Sequence, residues 1–451
     1  MNVALAVVAV ALAPVTRASS PAQTSQTPSL ALTRITVIDG TGSPPMGDMT
    51  VVITGDRITQ VAKSATISLP RGVRTVDGAG KYVIPGLWDV HVHLSLVRAS
   101  ALPLLVANGV TSVRDLGGYL TELDGWRTRI TEGLLVGPRI LRAGPIVNGR
   151  TFGPIQLLAA NPDEARGVVR ALKHVGVDFI KVHRALSRES YFAAIDEAKK
   201  EGLPLVGHIP MTVTPEEASD AGQATVEHTE TLFEGTFAAA LNGRPPTDAI
   251  RQFRAEKGEA LFARFVKNGT VVTPSLMGIR TAIDASDPAL APDPRSRYVA
   301  LSMRKASGQR PPPFPPEDVP ARRAWFDELR ETVRQMNRSG VTLITGTDIA
   351  VTRIPGFTLH EELLLLVESG LTPLQALQAA TSVPARVMGK AKHLGSVEIG
   401  KLADLVVLDG NPLEDIRNTK RIHAVILDGK LFDRAALDRL LVEAERSAQA
   451  N

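Results

Sequence analysis

Eight short apolar segments alternate with helix-like stretches over most of the chain, and each segment ends at or near a polar or turn-forming residue. The segments end near His93, Asp115, Pro145, Lys181, His208, His228, Ser275 and Asp348. Helix-like stretches include 164–173, 188–198 and 359–368. Alternating strands and helices favour parallel βα units, and eight such units close a barrel. The sequence therefore predicts an α/β fold built on a (β/α)8 TIM-like barrel.

The first segment ends in His91-Val92-His93. Side chains alternate faces along a strand, so these two imidazoles share a face and can bind one metal ion from a rigid support. Later segments end in further residues of metal-ligand type, namely Lys181, His208, His228 and Asp348. Each alone has a simpler explanation, since a lysine can extend to solvent, a histidine can sit hydrogen-bonded in a core and an aspartate can cap a helix. Those explanations leave the order of the residues unaccounted for.

Six longer motifs extend this pattern. They are VIPGLWDVHVH at 83–93, GVTSVRD at 109–115, DFIK at 178–181, GTD at 346–348, LTPLQAL at 371–377 and GKLADLVVL at 400–408. Together they resemble the amidohydrolase superfamily in its binuclear-metal form, most of all its imidazolonepropionase-related, prolidase-like branch, which includes Xaa-Pro dipeptidases. The resemblance covers nearly the whole chain after its N-terminal segment. It implies a TIM-like barrel with a composite β-sandwich domain formed by the N- and C-terminal segments.

The resemblance also implies a site for two divalent metal ions, with zinc as the first expectation. The implied metal ligands are His91, His93, Lys181, His208, His228 and Asp348. The first histidine pair and the aspartate would bind the more buried ion, and the two later histidines the more exposed one. Lys181 would bridge both ions after its amine takes up CO2 as a carbamate, because an ammonium group has no lone pair to offer.

The implied activity is hydrolysis of an amide bond, in a dipeptide, an N-acyl amino acid or a non-peptide amide, by a hydroxide shared between the ions. Asp348 would be the catalytic residue that accepts and returns the proton. A metal-dependent esterase, lactonase or phosphotriesterase on the same site is the alternative. Deamination is disfavoured, because Met211 stands where deaminases of this superfamily carry a glutamate. A non-catalytic scaffold is disfavoured by the complete ligand set.

Two residues are candidates for substrate binding. Arg150 lies where dipeptide-cleaving relatives have a Gly-Gly-His loop, and its planar fork matches a carboxylate. His183 shares a strand face with Lys181 and would reach the substrate. A solvent-exposed position is the alternative for both. Those relatives often have a tyrosine after the corresponding histidine, whereas none follows His228 here. An acyl amino acid, a carbamate, an ester or a lactone therefore stays open as the substrate.

Three further polar residues have structural interpretations. His360, beside Glu361 at a helix start, would form a hydrogen bond there or orient Asp348. Arg114 and Asp115 end the second strand and would pair with neighbouring groups that support the barrel mouth.

The composition excludes several kinds of functional site and partner. The chain of 451 residues contains no cysteine, which excludes disulfides, thiolate metal ligands and a cysteine nucleophile. A bound metal must therefore use nitrogen and oxygen ligands. The net charge of +4 comes from 51 basic and 47 acidic residues without a block of like charge. We therefore expect a small-molecule substrate, no nucleic acid and no membrane anchor, while the choice between monomer and homo-oligomer stays open.

The ends of the chain suggest how it is organised. An apolar run at 3–13 precedes Thr16-Arg17-Ala18, which predicts a signal peptide at 1–18, a linker at 19–28 and a periplasmic or secreted protein. No basic residue precedes the run, which is unusual for such a signal. We expect a composite β domain from 29–83 and 392–433, a hydrolase barrel at 84–391 and a C-terminal helix at 434–451. A proline-rich insertion at 280–320 would be a lid over the barrel mouth or a solvated loop.

Overall fold

The computed structural model describes residues 29–69, 71–151, 153, 155–234, 247–308, 312–349 and 353–450. The predicted signal peptide at 1–18 and linker at 19–28 lie outside these residues, so both stay predictions.

Five strands precede the barrel. They are β1 Ser29–Val37, β2 Met46–Thr54, β3 Arg57–Lys63, β4 Arg74–Asp77 and β5 Tyr82–Pro85. The antiparallel pair β1–β2 buries the apolar side chains of Leu32, Val51 and Ile53. Burial of this kind is the main stabilising contribution to such a sheet.

Nine short strands follow in the central part of the chain. They are β6 Leu87–Val92, β7 Val110–Asp115, β8 Arg139–Arg142, β9 Ile146–Asn148, β10 Gln156–Leu158, β11 Ile180–Val182, β12 Leu205–Gly207, β13 Thr225–Glu227 and β14 Val271–Thr273. They form two parallel sheets, ordered β6-β7-β8 and β10-β9-β11-β12-β13-β14. Every residue of β6, β7, β11, β12, β13 and β14 is buried, as expected for parallel strands covered by helices.

Residues 342–349 occupy the eighth strand position and close the barrel. The Ile344 amide donates to the Val272 carbonyl at 3.1 Å, and the Val90 amide donates to the Thr345 carbonyl at 3.0 Å. This segment therefore lies between β14 and β6, the seventh and first strands of the barrel. The predicted (β/α)8 barrel is confirmed.

The third strand position differs from the predicted one in extent. The sequence predicts a strand ending near Pro145, whereas β8 ends at Arg142 and the chain resumes as β9 after the proline. Gly144 has a φ of +69°, and Pro145 has no amide hydrogen for a ladder bond, so the strand breaks there. β9 then pairs with β11 through Val147 and Val182.

Strands from both flanks of the barrel form one eight-stranded sheet. The C-terminal strands are β15 Leu405–Leu408, β16 Ile422–Leu427 and β17 Lys430–Asp433. The order is β17-β16-β15-β5-β1-β2-β3, with β4 paired to β1. β15 runs antiparallel to β5, where Val406 faces Ile84. The eight-stranded sheet has an apolar core of its own, which includes Leu32, Leu405 and Ile426. The domain boundaries derived from the sequence stay a prediction.

Most of the α-helices follow strands of the barrel, and the last one follows β17 of the flanking sheet. They span Leu94–Val97, Ala101–Ala107, Leu120–Thr131, Pro162–His174, Arg188–Lys200, Pro215–Asp220, Thr247–Phe253, Glu259–Asn268, Leu276–Asp284, Leu301–Gly308, Val319–Arg338, Phe357–Glu368, Pro373–Ala379, Ser382–Val387 and Arg434–Ala450. The helices predicted at 164–173, 188–198 and 359–368 are all present. Within the described chain, no helix has both the length and the apolar character that a membrane span requires.

The insertion after the seventh strand is packed on the barrel along part of its length. Tyr298 is buried and its ring stacks on that of Phe357, with centroids 5.4 Å apart. Arg295 forms an ion pair with Glu361 at 2.6 Å. The short 3-10 helix Pro294–Tyr298 also contacts the C-terminal helix. Residues 309–311 of the insertion lie outside the described chain.

Candidate metal centre and active site

All six predicted metal ligands lie at the carboxyl ends of barrel strands, the end where barrel enzymes place their chemistry. Four imidazoles form a continuous cluster there. The ring centroids of His91 and His93 are 5.3 Å apart, and those of His91 and His228 are 4.7 Å apart. The His208 ring lies 4.8 Å from the His228 ring. Residues from strands one, five and six therefore meet in one place.

Both histidines of the His-x-His pair direct the same ring nitrogen at Asp348. The Nε2 atoms of His91 and His93 lie 3.4 Å and 3.3 Å from Asp348 Oδ1. His93 Nδ1 lies 3.1 Å from the Gly117 carbonyl oxygen, an acceptor that favours a proton on Nδ1. That tautomer leaves the Nε2 lone pair for a metal ion.

The buried imidazoles are in the form that binds metal. Burial lowers the pKa of His228 to about 4, with Lys181 acting in the same direction against the charge of Asp348. Burial and then Lys181 also hold the pKa of His208 well below its ordinary value. Both rings are therefore neutral at neutral pH, and only a neutral imidazole has a lone pair to donate.

Lys181 lies in the middle of this cluster, with only 1% of its surface exposed. Its Nζ has no hydrogen-bond partner among the described residues. Burial lowers the pKa of Lys181 to about 8, against the opposing effect of the Glu227 and Asp348 carboxylates. Gly207 provides the space for this side chain, since a Cβ there would lie 2.9 Å from Lys181 Cδ. An unpaired buried amine is costly, so this arrangement points to a missing partner.

The cluster suits a divalent metal ion. One ligand atom each from His91, His228 and Asp348 lies within 4.8 Å of the others. Within the described chain, the buried atoms His91 Nε2, His208 Nδ1 and His228 Nδ1 have no hydrogen-bond partner. All donors are nitrogen or oxygen atoms, which suits zinc or manganese better than a soft metal ion.

Two residues of the site were missed by the sequence analysis. Glu227 precedes His228, is fully buried and lies 3.3 Å through Oε2 from His91 Nδ1. Arg353 follows the eighth strand position, and its guanidinium donates to Asp348 Oδ2 at 2.7 Å and to the Asp348 carbonyl at 2.5 Å. Burial raises the pKa of Asp348, but Arg353 and then His91 hold it well below its ordinary value.

The candidate substrate-binding residues lie on the same side of the barrel. The His183 ring is 4.3 Å from the His208 ring. Arg150 is exposed in the loop between β9 and β10. The structure does not test whether either residue contacts a substrate, so both roles stay predictions.

Of the two interpretations of His360, the structural hydrogen bond is confirmed and the orienting role is wrong. His360 does not orient Asp348, because its Nδ1 contacts the Thr419 hydroxyl at 3.0 Å and its Nε2 the Asn108 carbonyl at 3.1 Å. The ring instead ties the helix Phe357–Glu368 to two neighbouring segments. The sequence places His360 near the start of a helix, but it does not show which neighbouring element the side chain contacts.

Arg114 and Asp115 support the barrel mouth as expected. Arg114 Nε donates to the Val90 carbonyl at 2.7 Å, and Asp115 accepts the amides of Leu94 at 2.7 Å and Gly117 at 3.1 Å. These contacts fix the backbone on either side of His93.

A profile of the amidohydrolase family matches residues 82–432, which include the whole barrel. The chain belongs to the amidohydrolase family. It is therefore a hydrolase acting on amide or other carbon–nitrogen bonds, as the sequence predicts, and a divalent metal ion is usual in this family.

Relatives of known name match over most of their length. An ochratoxinase from Aspergillus niger is 24% identical over 442 residues, which cover 88% of this chain and 85% of the relative. An imidazolonepropionase from Symbiobacterium thermophilum is 26% identical over 363 residues, covering 76% and 78%. The crystal structure of a putative prolidase from Bifidobacterium longum superposes with a TM-score of 0.69 at 28% identity, covering 93% of this amidohydrolase and 99% of that chain.

Proposed function

We propose that this amidohydrolase cleaves the amide bond of an N-acyl amino acid or a dipeptide at two divalent metal ions, zinc in the first instance. We further propose that Lys181 bridges the ions as a carbamate formed with CO2. The observation that carries this proposal is the buried Lys181 Nζ, which has no hydrogen-bond partner in the described chain. A carbamate would replace this unpaired amine with an anion whose two oxygens can reach two cations.

Lys181 would bridge the two ions, and the other five proposed ligands would divide between the two positions according to their neighbours. His91, His93 and Asp348 would hold the inner ion, since both Nε2 atoms face Asp348 Oδ1. The remaining pair, His208 and His228, would hold the outer ion. His208 is the more exposed of the two, which is consistent with an outer position open to substrate.

Bound divalent ions would supply an acidified water and polarise the scissile carbonyl. Asp348 would accept the proton and deliver it to the leaving nitrogen. Arg353 holds Asp348 from the opposite side through Oδ2, which leaves Oδ1 directed at the histidine pair. The pKa of Asp348 lies well below its ordinary value, so the carboxylate is ionised and can take a proton at neutral pH.

The proposed substrate class is supported by the relatives and by two polar side chains at the barrel mouth, one of them an arginine. Likeness to an ochratoxinase and to a prolidase supports an amide as the bond cleaved. Arg150 is exposed on a loop at this end of the barrel, and its fork can bind a carboxylate in bidentate fashion. His183, beside His208, would contact the substrate close to the outer ion.

A panel of matched substrates tests the proposal. Purified enzyme loaded with zinc and bicarbonate is given N-acyl amino acids, dipeptides and the same compounds with the carboxylate converted to an amide. Esters, lactones and aryl phosphotriesters form the second arm. We expect turnover of the carboxylate-bearing amides. Turnover confined to the second arm would reject amide hydrolysis as the function.

The variant Arg150→Ala separates carboxylate recognition from chemistry. We expect KM to rise for substrates with a free carboxylate and to stay unchanged for the amidated ones, with kcat little affected. The matched control is Arg188→Ala, because Arg188 is a half-exposed arginine whose side chain is paired with Glu217. Equal effects on both substrate forms would show that Arg150 does not bind the carboxylate.

We also propose that the protein is exported, on the basis of the apolar run at 3–13 and the small residues that follow it. The test is cell fractionation of a bacterial host with N-terminal sequencing of the purified protein. Recovery from the periplasm with a start near Ser19 would support export, and full-length protein in the cytoplasm would reject it.

A further inference from the structure

A buried ion pair lies directly beneath the ligand cluster. Arg114 and Glu227 have no exposed side-chain surface, and their closest atoms, Arg114 NH2 and Glu227 Oε1, are 2.6 Å apart. Thr225, two residues before Glu227 on β13, donates its hydroxyl to the same Oε1 at 2.5 Å. Arg114 also donates to the Thr225 hydroxyl at 3.0 Å. Thus every one of these bonds to Glu227 uses a single carboxylate oxygen.

The second oxygen of Glu227 points elsewhere. Glu227 Oε2 lies 3.3 Å from His91 Nδ1, and neither atom has a hydrogen-bond partner anywhere else among the described residues. Both side chains are almost completely buried, so bulk water cannot satisfy these atoms. The two unsatisfied atoms are complementary, since Nδ1 can carry a proton and a carboxylate oxygen can accept it.

We infer that Glu227 is a positioning residue of the metal centre, which accepts the Nδ1 proton of His91 and so reserves Nε2 for the inner metal ion. This inference rests on the proposed function. Arg114 anchors Glu227 from the far side, and through its bond to the Val90 carbonyl it ties the carboxylate to the strand that carries His91. The tautomer of His91 is thereby fixed by a carboxylate on the opposite side of the barrel.

The two histidines of the pair therefore have different partners. His93 Nδ1 contacts a neutral backbone carbonyl, whereas His91 Nδ1 faces a carboxylate. A charged partner raises the basicity of the ring more than a neutral one and strengthens its bond to a metal ion. We expect His91 to be the stronger ligand of the inner ion. A purely structural ion pair between Arg114 and Glu227 would not require Oε2 to face the imidazole.

The variant Glu227→Gln tests this role through metal binding. We expect zinc affinity to fall about 10- to 100-fold, measured by competition with a chelator, as for other carboxylates that orient a metal-bound histidine. The absorption spectrum of the cobalt-substituted protein should also change. A glutamine has one acceptor oxygen, and with that oxygen on Arg114 and Thr225 its NH2 group would face His91 Nδ1 and could not accept the Nδ1 proton. The control is Thr273→Val, since Thr273 lies 3.4 Å from Arg114 and contacts the ion pair without facing His91 Nδ1.

A second variant is used in case Glu227→Gln does not fold. Glu227→Gln leaves the buried Arg114 without its carboxylate, which can destabilise the fold. The double variant Arg114→Met with Glu227→Leu removes both charges and should fold, yet it still lacks the acceptor for His91. We expect the same loss of zinc affinity. Wild-type zinc affinity in a folded Glu227→Gln or double variant would overturn the inference.

The outcome for the wild-type protein separates this inference from the proposed function. If the wild-type enzyme binds two ions and cleaves amides, and the variants bind zinc equally well, only the role of Glu227 is rejected and the proposed function stands. A wild-type protein that binds no zinc with bicarbonate present rejects both.

Discussion

Individual residues of the site are held in a backbone conformation that side chains rarely adopt. His228, directly after β13, has a φ of +68°, and Asp348, near the end of the eighth strand position, has a φ of +51°. A non-glycine residue in this left-handed region carries a cost of about 1–2 kcal/mol. In extended backbone the two side chains would continue the alternation of the strand, whereas the left-handed turn brings both into the ligand cluster. Strain of this kind persists only where surrounding contacts enforce it, which fits a functional site.

Arg353 controls the pKa of Asp348, and this can be tested with a single substitution. The variant Arg353→Ala removes the cation that holds the pKa of Asp348 down, so that pKa rises. Asp348 must be ionised to accept a proton, and activity is lost as the pH falls through its pKa. The acidic limb of the kcat/KM profile should therefore move to higher pH, as measured by steady-state rates across a pH series.

The conservative variant Arg353→Lys supplies the control for this experiment. It keeps a positive charge near Asp348 but loses the paired contacts of a guanidinium. Its acidic limb should lie between those of the wild type and Arg353→Ala. If the limb stays at the same pH in all three proteins, Arg353 does not set the protonation of Asp348.

At this scale the sequence identifies the proposed ligands but not the side chains that support them. Each ligand ends a strand-like segment, and this position can be recognised locally. Glu227 and Arg114 are 113 residues apart in sequence, and their contact depends on strands lying across the barrel from each other. Arg353 lies in a connecting segment without a regular pattern. Local periodicity carries no information about either contact.

At the scale of elements, strands and helices follow closely from hydrophobic patterning, because both depend on neighbours in sequence. The helix predicted at 188–198 is Arg188–Lys200, and Ser187 caps it by accepting the Ser190 amide. The break at Pro145 is also local, but the return to strand as β9 depends on pairing with β11. That pairing is a tertiary contact, which explains why β9 is not predicted from the sequence.

The insertion after the seventh strand borders the active site. A narrow cleft beside it is lined by Val97, Ala101, Tyr298, Met303 and Arg353. Arg353 in turn contacts Asp348. Of the two alternatives for this insertion, we propose the lid that shapes the substrate pocket, because Tyr298 shares the cleft with Arg353, which contacts Asp348.

The variant Tyr298→Ala tests whether the insertion shapes the substrate pocket. Loss of a buried aromatic ring should lower the free energy of unfolding by about 3–5 kcal/mol, as measured by denaturant titration. We also expect KM to rise, since the ring stacked on Phe357 no longer holds the insertion in place. Leu290→Ala is the control, because Leu290 lies in the same insertion but is 47% exposed. Unchanged KM in Tyr298→Ala would mark the insertion as a surface loop without a role in binding.

At the scale of the whole molecule, one sheet joins the two ends of the described chain. β5 lies between β1 and β15, so N-terminal and C-terminal strands pair directly. Alternating apolar residues predict the strands, but their order in the sheet depends on contacts over more than 300 residues, which no local pattern specifies. The barrel could be predicted more fully than the sheet, because its strand order follows the order of the sequence.

Metal binding should stabilise the whole fold, because the ligands come from five strand positions around the barrel. Ions that bind only the native state add about 2.7 kcal/mol per site when free zinc exceeds Kd 100-fold. Stripping the metal with EDTA should therefore lower Tm, and adding zinc and bicarbonate should restore it, as followed by calorimetry. EDTA already saturated with zinc is the control. An identical Tm with and without the ions would contradict a metal site that joins these strands.

The central claim is that Lys181 bridges two metal ions, and its most direct test is the metal content of Lys181→Ala beside that of the wild type. After both proteins are loaded with zinc and bicarbonate, elemental analysis should find two ions per wild-type chain and fewer than two in the variant, whose amide hydrolysis should be lost. Two ions and undiminished turnover in Lys181→Ala would contradict the claim.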